Sequence, residues 1–302
     1  MPDFVRPLNL KRPIVNRKLI AWGFILTGLV SVGSWAWGRT KESQPPAASG
    51  ESAKGIKEEG GGWWGQVKIS YTVQPQASPT PATQAIVAQL QTQLATASGE
   101  YGTYVYRLAD KVGYGISDAK VFPAASIMKV PIMVAAYRKI EVGSLKLEEA
   151  QSLLEAMGKR SDNTASATLT KMIGRQFISR TIKDLGMAHT DFDANTTTAS
   201  DVGVMWRNLY EGKLINSTHR DELWEFLQNS IFEERIPAGV PAGTVVIHKV
   251  GTEADEWADA GIVMGKQPFI VVILNQKVNL AEATKLVPQL VKTIWHGETA
   301  GQ

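Results

Sequence analysis

Apolar and polar positions alternate along this chain in two distinct periods, and the switches between them outline its elements. Residues 84–97 carry apolar side chains every three to four positions, which predicts an amphipathic helix. Two short alternating runs, Thr103–Leu108 and Gly113–Ile116, then predict a β-hairpin. Four helical stretches follow, each expected to close on a glycine in a left-handed cap: Gly143, Gly158, Gly174 and Gly186. Further helices are predicted near 199–211 and 220–229, then strands at Val245–Thr252, Asp259–Met264 and Pro268–Leu274. A final amphipathic helix is predicted over about 280–296. Strands at both ends of this region with helices between them predict an α/β sandwich carrying an all-α lobe.

The chain before this region has another character. Residues 19–38 (LIAWGFILTGLVSVGSWAWG) contain no charge and are long enough for a helix to cross a bilayer, with Trp22, Trp35 and Trp37 towards the ends. Basic residues dominate 1–18, which predicts a cytoplasmic tail and export of everything after the apolar stretch. The reading is a retained anchor. A cleaved signal with Ser34-Trp35-Ala36 at its end is the alternative and would give a secreted protein. Residues 39–82, rich in Pro, Gly, Ser and Gln, read as a flexible linker, with a short strand expected at Gln66–Val73. The folded domain is expected over 83–302, on the outer side of the membrane, in a periplasm or outside the cell.

Composition narrows the chemistry. The 302 residues are 44% hydrophobic and 20% charged, which is ordinary for a globular chain. Cysteine is absent, so thiol and disulfide chemistry are excluded. The net charge of +3 comes from the N-terminal tail, and the rest of the chain is close to neutral with no basic stripe. No nucleic-acid partner is therefore expected. The four histidines show no metal-ligand spacing, and neither HExxH, GxSxG nor a phosphate loop occurs. No metal or other cofactor is expected, and oligomeric state is not legible.

Three short elements carry candidate chemistry. Ser126-Ile127-Met128-Lys129 places an amine nearly one helical turn from a hydroxyl, where it can take the serine proton. A helix start at Ser126 would also turn free backbone N–H groups towards a developing oxyanion. A second S-x-x-K, Ser117-Asp118-Ala119-Lys120, lies in a polar turn with no apolar helix behind it and is given no role. Ser161-Asp162-Asn163 lies between two helices, where its residues also suit a plain helix cap. Lys249-Val250-Gly251-Thr252 ends a strand, and its glycine would allow close approach to the backbone.

In this order and context the three elements resemble the S-x-x-K, S-D-N and K-x-G-T set of class A β-lactamases and penicillin-binding proteins. Val121-Phe122-Pro123-Ala124-Ala125-Ser126, Ser161–Ala165, Thr196-Thr197-Thr198 and Ile236–Pro241 resemble flanking segments of the class A family, and the likeness covers roughly 84–297. The resemblance implies a β-lactamase/transpeptidase-like sandwich, an antiparallel sheet flanked by helices with an all-α lobe. It implies Ser126 as acylated nucleophile, Lys129 as its base, Ser161 as proton relay and Lys249 as positive potential. It implies Asn163 as a ligand for the substrate amide, Gly251 and Thr252 as the substrate-binding strand end, and N–H groups of Ser126 and Thr252 as oxyanion hole. The substrate would be a β-lactam or a D-Ala-D-Ala-like peptide.

The chain departs from the family at three places. Between Gly186 and Thr196 it has only MAHTDFDAN, without the glutamate that clears the acyl-enzyme, so Asp191 or Asp193 would have to be aimed at the ester instead. Val250 replaces a hydroxyl residue that helps bind the substrate carboxylate, and only 35 positions separate Ser126 from Ser161. Hydrolysis of β-lactams is the leading expectation. A penicillin-binding-type peptidase or esterase is the alternative, and a non-catalytic, membrane-anchored envelope-binding protein is the rival from another class.

Overall fold

The structure, a computed structural model, describes residues 80–300. The expected basic tail, the apolar stretch 19–38, nearly all of the linker and the strand at 66–73 lie outside the described residues. Among the described residues no helix is long and apolar enough to cross a membrane.

Helix α1 (Pro81–Leu94) begins three residues before its expected start, because Thr80 caps it and Pro81 suits the first helical position. Then come β1 (Glu100–Arg107), β2 (Gly113–Ile116) and β3 (Val121–Pro123), followed by a 3-10 turn at Ala125–Met128. The helical lobe comprises α2 (Lys129–Glu141), α3 (Leu147–Arg160), α4 (Asn163–Ile173) and α5 (Arg175–Asp184). The short strand β4 (Thr196–Thr198) leads into α6 (Ala199–Tyr210) and α7 (Ser217–Leu227). Strands β5 (Val246–Glu253), β6 (Glu256–Val263) and β7 (Phe269–Gln276) and helix α8 (Leu280–Thr299) complete the fold.

Five strands form one antiparallel sheet in the order β2-β1-β7-β6-β5, while β3 and β4 pair separately. Strand alternation divides the apolar residues between two cores. Ile270, Val272, Leu274, Ala258 and Ala260 face the helical lobe with α2 and α6. Phe269, Val271, Ile273 and Val263 face α1 and α8 on the other side. This is the α/β sandwich with a helical lobe that the periodicity predicts.

One glycine expectation is corrected. Gly143, Gly174 and Gly186 have positive φ and follow their helices, but Gly158 lies inside α3. The helix continues to Arg160 and ends on Ser161, itself left-handed at φ 55°. Gly158 is required for packing instead, since a Cβ there would lie 2.5 Å from the Phe226 carbonyl oxygen on α7.

Candidate active site

Strand β3 delivers the chain to Ser126. Its pairing with β4 runs on into a hydrogen bond from Ala124 N–H to the Asn195 carbonyl (2.8 Å), tying this entry to the loop before β4. Ala125 then adopts φ 44°, a left-handed conformation that costs an L-residue roughly 1–2 kcal/mol. Its cost is met by the buried run Val130–Tyr137, which fixes α2 in the core and with it the turn holding Ser126.

Lys129 opens α2 and is buried, and three oxygens surround its ammonium. Nζ lies 2.7 Å from Ser126 Oγ, 3.3 Å from Ser161 Oγ and 2.6 Å from Asn163 Oδ1. Burial pushes the Lys129 pKa below the usual lysine value, and the carboxylates of Asp162 and Glu253 partly oppose that. A neutral amine in this position can accept the Ser126 proton. The other S-x-x-K has no such geometry, because Lys120 pairs with Glu100 at 3.1 Å and Ser117 lies in the turn after β2.

The Ser-Asp-Asn segment divides its labour between structure and site. Asp162 caps α4, its carboxylate accepting from Ala165 N–H at 2.8 Å, as a helix-cap reading expects. The left-handed turn at Ser161 directs that hydroxyl, and Asn163 after it, towards Lys129.

Strand β5 is the sheet edge and packs against the Ser126 turn. A Cβ on Gly251 would lie 3.2 Å from the Ala124 carbonyl and 3.3 Å from Ala125 Cβ, so glycine is what allows this approach. Lys249 shares the face of Gly251 and is buried, with Nζ 5.6 Å from the Phe232 ring centroid. Its pKa is pushed down to about 7, by burial first and then by the charge of Lys129. Trp257, opposite Thr252, spends its backbone N–H and carbonyl on Asn275. Thr252 therefore stands at a position where an antiparallel pair exchanges no hydrogen bonds, and its N–H points out from the sheet edge.

Val250 and the Thr252 side chain lie on the opposite face. There the buried Arg235, which the sequence reading passed over, donates to Thr252 Oγ1 (2.6 Å) and to the carbonyls of Gly251 (2.8 Å) and Ala258 (2.6 Å). Arg235 thus clamps the end of β5 from behind. His248 on the same face meets both Asp259 oxygens at 2.9 Å and faces Glu233 at 3.5 Å. Burial alone would push its pKa down, but the two carboxylates outweigh it and hold the pKa up at about 9.

A cleft of about 680 Å³ opens beside Ser126 and Lys129, walled by α4 from Asn163 to Lys171 and by Phe192 and Asn195 of the short loop. The loop's two acids are engaged elsewhere. Asp191 accepts from the N–H groups of Asp193 and Ala194, and Asp193 pairs with Arg175. The carboxylate that does line the cleft is Glu253, also passed over by the sequence reading, although it continues the alternation 249, 251, 253. Among the described residues no group of three or more His, Asp or Glu side chains is arranged to hold a metal ion.

The sequence profile described as "Beta-lactamase enzyme family" matches residues 85–152 and 149–297. The beta-lactamase VEB-1 of Pseudomonas aeruginosa is 21% identical over 267 residues, 70% of this chain and 89% of that protein. A mutant of PBP-A, solved as an acyl-enzyme complex with penicillin G, superposes with a TM-score of 0.68 at 20% identity, over 75% of this chain and all of that one. The class A beta-lactamase described as the last common ancestor of Gram-negative bacteria (GNCA4) superposes with a TM-score of 0.66 at 20% identity, over 71% of this chain and 99% of its own.

Proposed function

Because the chain belongs to the beta-lactamase enzyme family, we propose that this β-lactamase-like serine hydrolase takes the acyl group of a β-lactam onto Ser126 and releases it to water. The observation that carries the reading is the Lys129 amine, 2.7 Å from Ser126 Oγ in a buried setting that favours its neutral form.

Neutral Lys129 accepts the Ser126 proton as Oγ attacks the lactam carbonyl. The oxyanion is met by the N–H groups of Ser126 and of Thr252 at the sheet edge. Ser161, within hydrogen-bond distance of Lys129, passes a proton to the departing nitrogen. Lys249 supplies positive potential beside it, and Asn163 is placed to exchange its contact with Lys129 for a substrate amide. The PBP-A mutant captured with penicillin G supports the choice of substrate class. We further place the domain outside the cell membrane, tethered through residues 19–38.

A second reading, a peptidase or esterase acting on D-Ala-D-Ala-like peptides, is favoured by one observation. Neither Asp191 nor Asp193 is aimed at the ester, so the usual loop carboxylate has no counterpart there.

The test is a time course of intact mass for the full-length chain mixed with penicillin G. An adduct of the penicillin mass is expected on the unmodified chain and on Ser117→Ala, and none on Ser126→Ala. Labelling that survives Ser126→Ala would remove Ser126 as nucleophile. Clearance of the adduct separates a β-lactamase from a slow penicillin-binding enzyme.

A further inference from the structure

Release of an acyl group from serine requires a group that accepts a proton from the attacking water. The two acids of the short loop are held by their own turn and by Arg175. We propose that Glu253, on the opposite wall, is the general base that activates this water, an inference that rests on the acyl-enzyme reading above.

Three observations lead to Glu253. It is the one carboxylate among the described residues that line the cleft containing Ser126 and Lys129. Its side chain makes no hydrogen bond or ion pair with any described residue, so its oxygens are free to hold water. Its place on β5 also fixes its direction. Side chains at i, i+2 and i+4 share one face of a strand. Lys249 and Gly251 already turn that face to the nucleophile, Gly251 close against Ala124 and Ala125. Glu253 is the next residue on that face, about 7 Å further along the strand, where β5 leaves the Ser126 turn and borders the open cleft.

Charge ties the same residue to the reacting group. The Glu253 carboxylate is one of two that favour the protonated form of Lys129, whose Nζ is 2.7 Å from Ser126 Oγ. Glu256 stands opposite Glu253 in the hairpin but is buried and does not line the cleft. Burial, with the charges of Glu253 and Asp255, pushes the Glu256 pKa up to about 7. Of the three carboxylates at this hairpin end, Glu253, Asp255 and Glu256, Glu253 is the one that lines the cleft.

The step balances as follows. The water oxygen bonds to the acyl carbon while one water proton passes to Glu253. The bond between the acyl carbon and Ser126 Oγ then breaks as Glu253 hands that proton to neutral Lys129 and Lys129 passes one to Oγ, so that Glu253 ends ionised and Lys129 neutral. The products are a free carboxylic acid and the original serine hydroxyl.

The experiment follows the intact mass of the full-length chain after a pulse of penicillin G, in parallel with Glu253→Gln, Glu256→Gln, Asp191→Asn and Asp193→Asn. Glu253→Gln is expected to acquire the adduct at least as fast as the parent, since a charge that raises the Lys129 pKa is gone, and to clear it at least about 100-fold more slowly. The other three are expected to clear it like the parent. Clearance by Glu253→Gln within a few-fold of the parent overturns the proposal, as does selective accumulation in Asp191→Asn or Asp193→Asn. A parent adduct that never clears also overturns it, while leaving acylation at Ser126 intact. No adduct on any chain refutes the acylation reading itself, and the role of Glu253 with it.

Discussion

Replacing Lys249 with methionine should make the protein more stable at neutral pH while impairing acylation. Lys249 is buried with its pKa at about 7, against 10.5 for a free lysine. The unfolded chain therefore binds the extra proton more tightly than the folded one, and folding is opposed wherever the unfolded lysine is charged. At pH 7 the penalty is on the order of 4 kcal/mol, and at pH 9 it has fallen to ~2 kcal/mol, because stability rises with pH across this window.

His248, the neighbour on the other face, has the opposite sign. Its pKa is raised from 6.5 to about 9, so its stabilisation is fully present below 6.5 and disappears as pH rises through 9. It contributes ~2.5 kcal/mol at pH 7 and less than ~0.5 kcal/mol at pH 9. The two slopes nearly cancel in the parent, so these two groups leave it almost flat between pH 7 and 9. Each substitution exposes the slope of the residue that remains. In urea unfolding, Lys249→Met should exceed the parent by several kcal/mol at pH 7, with the gap narrowing by ~2 kcal/mol at pH 9. His248→Asn should be destabilised more at pH 7 than at pH 9. A Lys249→Met protein no more stable than the parent at pH 7, or a gap that does not narrow, would refute the assignment of Lys249 as a destabilising buried cation.

Three further outcomes are expected. Lys129→Ala should slow formation of the penicillin adduct by about 10²–10⁴-fold without changing the circular dichroism spectrum, because it removes the general base. Asp162→Asn should keep the α4 cap and melt near the parent temperature. It also removes a charge that raises the Lys129 pKa, so its acylation rate should reach its plateau at a lower pH. Gly158→Ala would gain about 1 kcal/mol of helix propensity. Its new Cβ would meet the Phe226 carbonyl at 2.5 Å, and forcing α3 from α7 should cost more, about 1–3 kcal/mol, seen as a lowered melting temperature.

Much of the molecule is legible in its residues taken alone. Short, mostly apolar runs in 246–276 mark the three late strands, which are buried on both faces, and the 3.6-residue period places the helices, because both are local patterns. Spacing alone brings Ser126 and Lys129 together, since one helical turn sets their separation. Contacts between distant segments are not written in any local pattern. That Ser161 and Asn163 close on Lys129 depends on how α3 and α4 pack beside α2, and the register of β5 against β6 is what turns the Thr252 N–H outward.

The same limit explains what the sequence reading missed. Gly158 has the look of a helix stop, yet its role comes from a carbonyl 68 positions away on α7. Arg235 reads as one more charge in a loop, and only the tertiary fold lays it under the end of β5. Glu253 continues an alternation that can be read directly, but the alternation does not say what stands opposite. Local periodicity determines which face a side chain takes. The packing of strand against helix decides what that face meets, and here it sets the Glu253 carboxylate on the wall of the cleft beside Ser126.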